Sequence, residues 1–162
     1  MKRIGILSDT HAYWDDRYAH YFAACDEIWH AGDIGSYELA ERLSQIAPLR
    51  AVCGNIDGGT IRLVYPPLLR FRCEDVEVMM THIGGKPARY EPTIARMLRL
   101  SPPNLFVCGH SHILCIARPK GYSHLHINPG AAGISGFQRQ RTLVRLQIDG
   151  STISNVEVVE LG

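Results

Sequence analysis

Short apolar runs that close on a polar residue alternate with amphipathic stretches through the first third of the chain. "KRIGILSD", "EIWHAGD" and "LRAVCGN" have the composition of buried strands. Between them, Tyr18, Tyr21 and Phe22 fall at helical spacing, which predicts a helix from Asp15 to Ala24. In "GSYELAERLSQI", Leu39, Ala40, Leu43, Ile46 and Ala47 form one apolar stripe, with Ser36 placed to cap the helix. Alternating strand and helix predicts a largely parallel sheet covered by helices.

The pattern then changes. "LLRFRC" and "VEVMMTH" are strands joined by a tight turn at Glu74 and Asp75, with Val76, Val78 and Met80 alternating as on a half-buried strand. A helix is expected from about Pro92 to Leu100, with proline in its first turn and Pro102 and Pro103 stopping it. "NLFVCGH", "ILCIARP" and "HLHIN" are further strands. Thr142, Val144, Leu146 and Ile148 share one face of a final hairpin, for which Asp149-Gly150 is a type I′ turn signal. The second half thus reads as mostly antiparallel. The fold class expected is α/β: a four-layer α/β/β/α sandwich of two mixed β-sheets flanked by helices, as a single domain over residues 1–162.

Composition narrows the function only by exclusion. With a formal net charge of +1, no electrostatic argument favours a nucleic-acid or membrane partner. "MKRIGILSD" lacks the apolar core and cleavage site of a secretory signal, and no segment reaches the roughly 18 apolar residues of a membrane span. Five cysteines without a C-x-x-C pair fit reduced thiols and a cytoplasmic location. Cys53 and Cys108 sit inside apolar runs and read as core residues.

The chemistry lies where the runs stop. Five of them end on ligand-type residues: Asp9 followed by His11, then Asp33, Asn55, His82, and His110 followed by His112. In open α/β sheets the ligand crevice lies beyond the carboxyl ends of the strands, so these groups can converge. Residues i and i+2 of extended chain point the same way, which would aim Asp9 with His11, and His110 with His112, at one centre. Glycines at 32, 54 and 109 permit tight turns there. Four histidines, two aspartates and an asparagine suit manganese, iron, zinc or nickel better than calcium or magnesium. Seven ligands exceed one ordinary site, so two metals sharing a carboxylate is the economical reading.

Other candidates fall away. His20 lies on a helix and reads as a surface residue, and His30 faces away from the site inside its strand. His124 and His126 alternate on a late strand and read as packing residues or rim residues. Arg17, Arg62, Lys86 and Arg89 could meet a phosphate, although solvated charge explains each.

"SDTH", "HAGD", "CGNID", "MTH" and "GHSH" resemble the five blocks of the calcineurin-like metallophosphoesterases, and "INPGAAG" resembles a loop of their small, single-domain phosphodiesterase branch. The resemblance implies that Asp9, His11 and His112 bind one metal, that Asn55, His82 and His110 bind the other, and that Asp33 bridges both. It implies two divalent transition-metal ions, manganese first, with iron, zinc or nickel as alternatives. It also implies a phosphodiesterase that attacks a small-molecule phosphate ester with a metal-activated hydroxide, for which Asp9, Asp33, Asn55 and His82 form the catalytic group. Larger members carry a histidine after the block-three asparagine. Here that position is Ile56, followed by Asp57, and "THIGGKP" has Gly84 where small-branch members often have a second histidine, so the general acid is unassigned. Phosphomonoesterase or nuclease action stays open. So does a non-catalytic interaction role like that of the retromer scaffold subunit, which shares the fold with altered ligands. A homo-oligomer is compatible with the sequence.

Overall fold

The computed structural model describes residues 1–162. Strands β1 (Lys2–Leu7), β2 (Glu27–His30) and β3 (Leu49–Ala51) alternate with helices α1 (Asp16–Phe22) and α2 (Tyr37–Ile46). Helix α3 (Gly59–Val64) leads into β4 (Leu68–Cys73) and β5 (Val76–Thr81). The two-residue strands β6 (Gly85–Lys86) and β7 (Arg89–Tyr90) precede α4 (Pro92–Leu100). The chain finishes with β8 (Leu105–Val107), β9 (Cys115–Ala117), β10 (Leu125–Asn128), β11 (Thr142–Asp149) and β12 (Thr152–Glu160).

Two five-stranded sheets result, ordered β12-β11-β1-β2-β3 and β4-β5-β8-β10-β9. Val76, Val78, Met80, Leu105 and Ile127 of one sheet meet Ile4, Ile6, Trp29, Val144, Leu146 and Ile148 of the other in a dry core between them. The opposite face of the first sheet buries Leu7, Ile28 and Leu143 against Tyr18, Phe22, Leu39 and Leu43 of α1 and α2. The opposite face of the second buries Met79 and Phe106 against Ile94 and Leu98 of α4. This is the four-layer α/β/β/α sandwich. The expected Ser36 cap forms, its Oγ accepting from Leu39 N, and Pro92 opens α4 as expected, where Glu91 caps Thr93 N and Ile94 N. No helix is long and apolar enough to cross a membrane.

The second half of the chain pairs mostly antiparallel, as expected: β4 with β5, β6 with β7, β9 with β10, and β11 with both β1 and β12. The exception is the centre of the second sheet, where β5, β8 and β10 run parallel. Helix α4 is the crossover that returns the chain to the same end before β8. At the final hairpin Asp149 pairs with Thr152, so Gly150 and Ser151 form the turn, and only Gly150 has a positive φ (59°). That is the pattern of a II′ turn rather than a I′ turn. Helix α3 was not among the elements expected from the sequence, since Gly58 and Gly59 precede its β-branched residues.

Candidate metal centre

Strands β1, β2 and β3 are neighbours in one sheet, β5 and β8 in the other, and the sheets pack face to face. Their carboxyl ends therefore meet at one end of the sandwich, where all seven predicted residues are brought together. The backbone route differs from the one expected. Asp9, His11, Asp33, His110 and His112 all take positive φ, between 45° and 73°, so the site is built from left-handed turns and not from extended chain. Such conformations cost on the order of 1–3 kcal/mol each in side-chain-bearing residues and persist where the surroundings over-determine them.

Two triads stand side by side. Ligand atoms of Asp9, His11 and His112 lie within 4.8 Å of one another, as do those of Asp33, His82 and His110. Asp33 links them: its Oδ2 is 3.4 Å from His11 Nε2 and 3.2 Å from His82 Nε2. Asp9 Oδ1 is 3.1 Å from His112 Nε2 and 3.7 Å from both His11 Nε2 and His82 Nε2. Asn55 joins the second triad, with Oδ1 3.0 Å from His110 Nδ1.

Neighbouring groups hold these side chains in place. Ser8 Oγ and the His110 N–H both donate to Asp9 Oδ2, leaving Oδ1 to face the histidines. The Ile56 N–H donates to Asp33 Oδ1, leaving Oδ2 to bridge. A Cβ at Gly54 would overlap Asp33 Oδ1, so the approach of these two loops requires glycine there. His82 donates from Nδ1 to the Ala31 carbonyl (2.8 Å), and His112 from Nδ1 to Gln138 Oε1 (2.9 Å). Each bond fixes the tautomer and aims Nε2 inward. Gln138 is held in turn by donating to the Gly133 and Ser135 carbonyls. Sequence reasoning missed Gln138, which lies 26 residues beyond His112 in a loop without pattern.

Charge and burial are in tension here. Burial opposes ionisation of Asp9, but the nearby His112 imidazole, the charge of His82 and the Ser8 hydroxyl outweigh it and hold the carboxyl below its ordinary range. Asp33 behaves alike: burial opposes, while His82 and the Ile56 N–H prevail. The Asp9 carboxylate beside it pushes His112 up to about 9. Asp9 Oδ1, His11 Nε2 and His82 Nε2 are nevertheless buried without a hydrogen-bond partner. Buried polar atoms rarely stay unpaired, and three converging ones with N/O chemistry fit divalent transition-metal ions.

Asp57 is buried and bridges two loops. It accepts from Ile34 N (3.1 Å) and Gly54 N (2.8 Å) through Oδ2, and from Gly35 N (2.9 Å) through Oδ1. It fastens the turns carrying Asp33 and Asn55 and is a positioning residue. Asp57→Ala should weaken metal binding roughly 10–100-fold with the ligands intact. Metal titration with a competing chelator measures this, and unchanged affinity would refute the positioning role.

The set-aside residues resolve individually. His20 is exposed. His30 is fully buried, accepts from Gly32 N at Nδ1 and donates from Nε2 to Thr10 Oγ1. His124 and His126 both meet the Tyr90 hydroxyl at 2.8 Å, so they are packed and not at a rim. Arg17 pairs with Asp15, Arg62 donates to the Asp57 and Gly54 carbonyls, and Lys86 and Arg89 are exposed. A cleft of about 550 Å³ beside Arg3, Tyr21 and Arg145 contains none of the seven.

Burial pushes His30 down to about 4 from an ordinary value of 6.5, so the fold favours its neutral form. That stabilisation is complete above pH 6.5 and is lost as pH falls toward 4, on the order of 3 kcal/mol from this residue. His124 and His126, lowered to about 4 mainly by burial, act in the same direction. The urea midpoint should therefore fall between pH 6.5 and 4, and a flat profile would contradict this.

The calcineurin-like phosphoesterase superfamily domain matches residues 1–151. The chain belongs to this superfamily. A probable metallophosphoesterase from Methanothermobacter thermautotrophicus is 28% identical over 167 residues, covering 98% of this chain and 92% of that protein. Among solved structures, an archaeal phosphodiesterase superposes with a TM-score of 0.78 at 19% identity, covering 98% of this chain and 99% of that one. Vps29 from Entamoeba histolytica, solved with zinc, gives 0.76 at 15% identity, covering 99% of each chain. These two show the shared fold. In this member of the calcineurin-like phosphoesterase superfamily, the two triads lie where the fold gathers its strand ends.

Proposed function

We propose that the chain is a metal-dependent phosphodiesterase acting on a small-molecule phosphate ester, as a single domain over residues 1–162. The observation that carries this is the bridging position of Asp33 Oδ2 between His11 and His82, which joins two aspartate–histidine triads into one centre. Asp9, His11 and His112 would hold one divalent ion and Asn55, His82 and His110 the other, with Asp33 shared. Manganese is the first choice, with iron, zinc or nickel as alternatives on the same N/O ligand set. Such a pair supplies charge stabilisation at the phosphoryl group and a water activated at neutral pH. The chain's own residues do the positioning. Ser8 and the His110 N–H orient Asp9, Ile56 N–H orients Asp33, and Ala31 and Gln138 orient His82 and His112.

All five cysteines are free thiols, which supports a cytoplasmic setting. The near-neutral charge supports a small substrate over nucleic acid. The alternative is an interaction protein on the same fold, as the likeness to Vps29 suggests. It is the weaker reading, because all seven positions carry ligand-type side chains aimed at one point.

A hydrolysis screen across phosphate mono- and diesters, with each metal and with chelator, tests the proposal. Chelator-sensitive diester turnover is expected. Turnover of monoesters alone would overturn the diester assignment, and none with any metal would favour the interaction protein.

A further inference from the structure

A cleft of about 410 Å³ opens beside the centre, lined by His110, His112, Ile113, Gly136, Phe137 and Gln138. No Asp, Glu, Lys or Arg lines it. Ile113 is 69% exposed and the Phe137 ring is fully exposed, so neither gives much to the core. The backbone beneath the ring is held firmly. Gly136 has φ 109°, and a Cβ there would overlap His112 Nδ1. Gln138, on the other side, bonds His112 and two loop carbonyls. An aromatic face is thus presented to solvent on a loop anchored to a residue of the centre. A second cleft, about 230 Å³, lies on the flank formed by Asn55 and His82 and includes Arg62 and Thr81. A centre flanked by two clefts of unlike character suits a phosphate esterified twice, with unlike arms.

We propose that the Phe137–Ile113 cleft is a substrate-specificity subsite that receives a planar aromatic arm of the phosphodiester, stacked on Phe137. This rests on the phosphoesterase reading above and adds a substrate class to it. An aromatic arm buries apolar surface on Ile113 and stacks on the ring, without meeting an unpaired charge. Phe137 is a contact for the arm and takes no part in bond breaking.

The test uses the metal-reconstituted full chain, titrated calorimetrically with phenylphosphonate and with methylphosphonate. The two ligands share an anionic head and differ in the arm. Phenylphosphonate should bind roughly tenfold more tightly, and Phe137→Ala should bring the ratio to within about twofold. Methylphosphonate affinity, metal content and thermal midpoint should stay at wild-type values in that variant. Equal affinities in the wild type would overturn the subsite, as would a phenyl preference that survives Phe137→Ala. A wild-type dimer that becomes monomeric in Phe137→Ala would overturn it too, by assigning the ring to a contact between copies. Failure of the wild type to retain metal or bind either phosphonate would overturn the metal centre itself, a distinguishable result.

Discussion

Asp33→Asn should abolish most phosphodiester hydrolysis, a loss on the order of 10³-fold, while His20→Ala stays within about twofold of wild type. Asp33 Oδ2 lies nearer to histidines of both triads, 3.4 Å from His11 and 3.2 Å from His82, than Asp9 Oδ1, which is 3.7 Å from each. The amide keeps the shape but removes the charge, so two cations in one small centre would lose their shared counter-charge. Its amide nitrogen would also either replace the oxygen that faces the centre, where an N–H group cannot serve as a ligand, or set a donor against the Ile56 N–H. His20 is exposed on α1 and pairs edge-on with Tyr21, remote from this chemistry. Steady-state rates at saturating metal, with folding checked by circular dichroism, measure the contrast. Similar losses in both variants would mean that the bridging assignment is wrong.

Rates across a series of diesters graded in leaving-group pKa should fall steeply as the leaving group becomes less acidic. A positioned general acid contributes about 10²–10⁴-fold, and this site offers no side chain placed to act as one. Ile56 stands after Asn55, half-exposed and without a proton to give. Asp57 has both oxygens engaged as acceptors from three N–H groups. His124 and His126 are buried against Tyr90. The departing oxygen must therefore leave largely unprotonated, and nitrophenyl diesters should outpace alkyl diesters by about the factor a general acid would have supplied. A nearly flat series, with chemistry rate-limiting, would reveal an acid this account lacks.

The strand ends were legible because each apolar run stops abruptly at an Asp, Asn or His, a change that burial alone does not explain. Val76, Val78 and Met80 were legible as a core face because a strand has period two, and they do line the dry layer between the sheets. The direction of β8 and β10 was not legible, since parallel pairing is decided by the α4 crossover and by contacts distant in sequence. The left-handed backbone at Asp9 and His110 left no pattern either, because period two and a tight turn both bring i and i+2 side chains near one point. Glycines 58 and 59 masked α3, and two-residue strands such as β6 and β7 are too short for any period. Gln138 could be found only in three dimensions, where its amide meets His112.

Elemental analysis of the purified, reconstituted chain tests the central claim most directly. The account predicts two divalent transition-metal ions per chain, falling toward one or fewer in Asp33→Asn at the same protein concentration. A chain that binds no metal at any stoichiometry, while remaining folded, would contradict it.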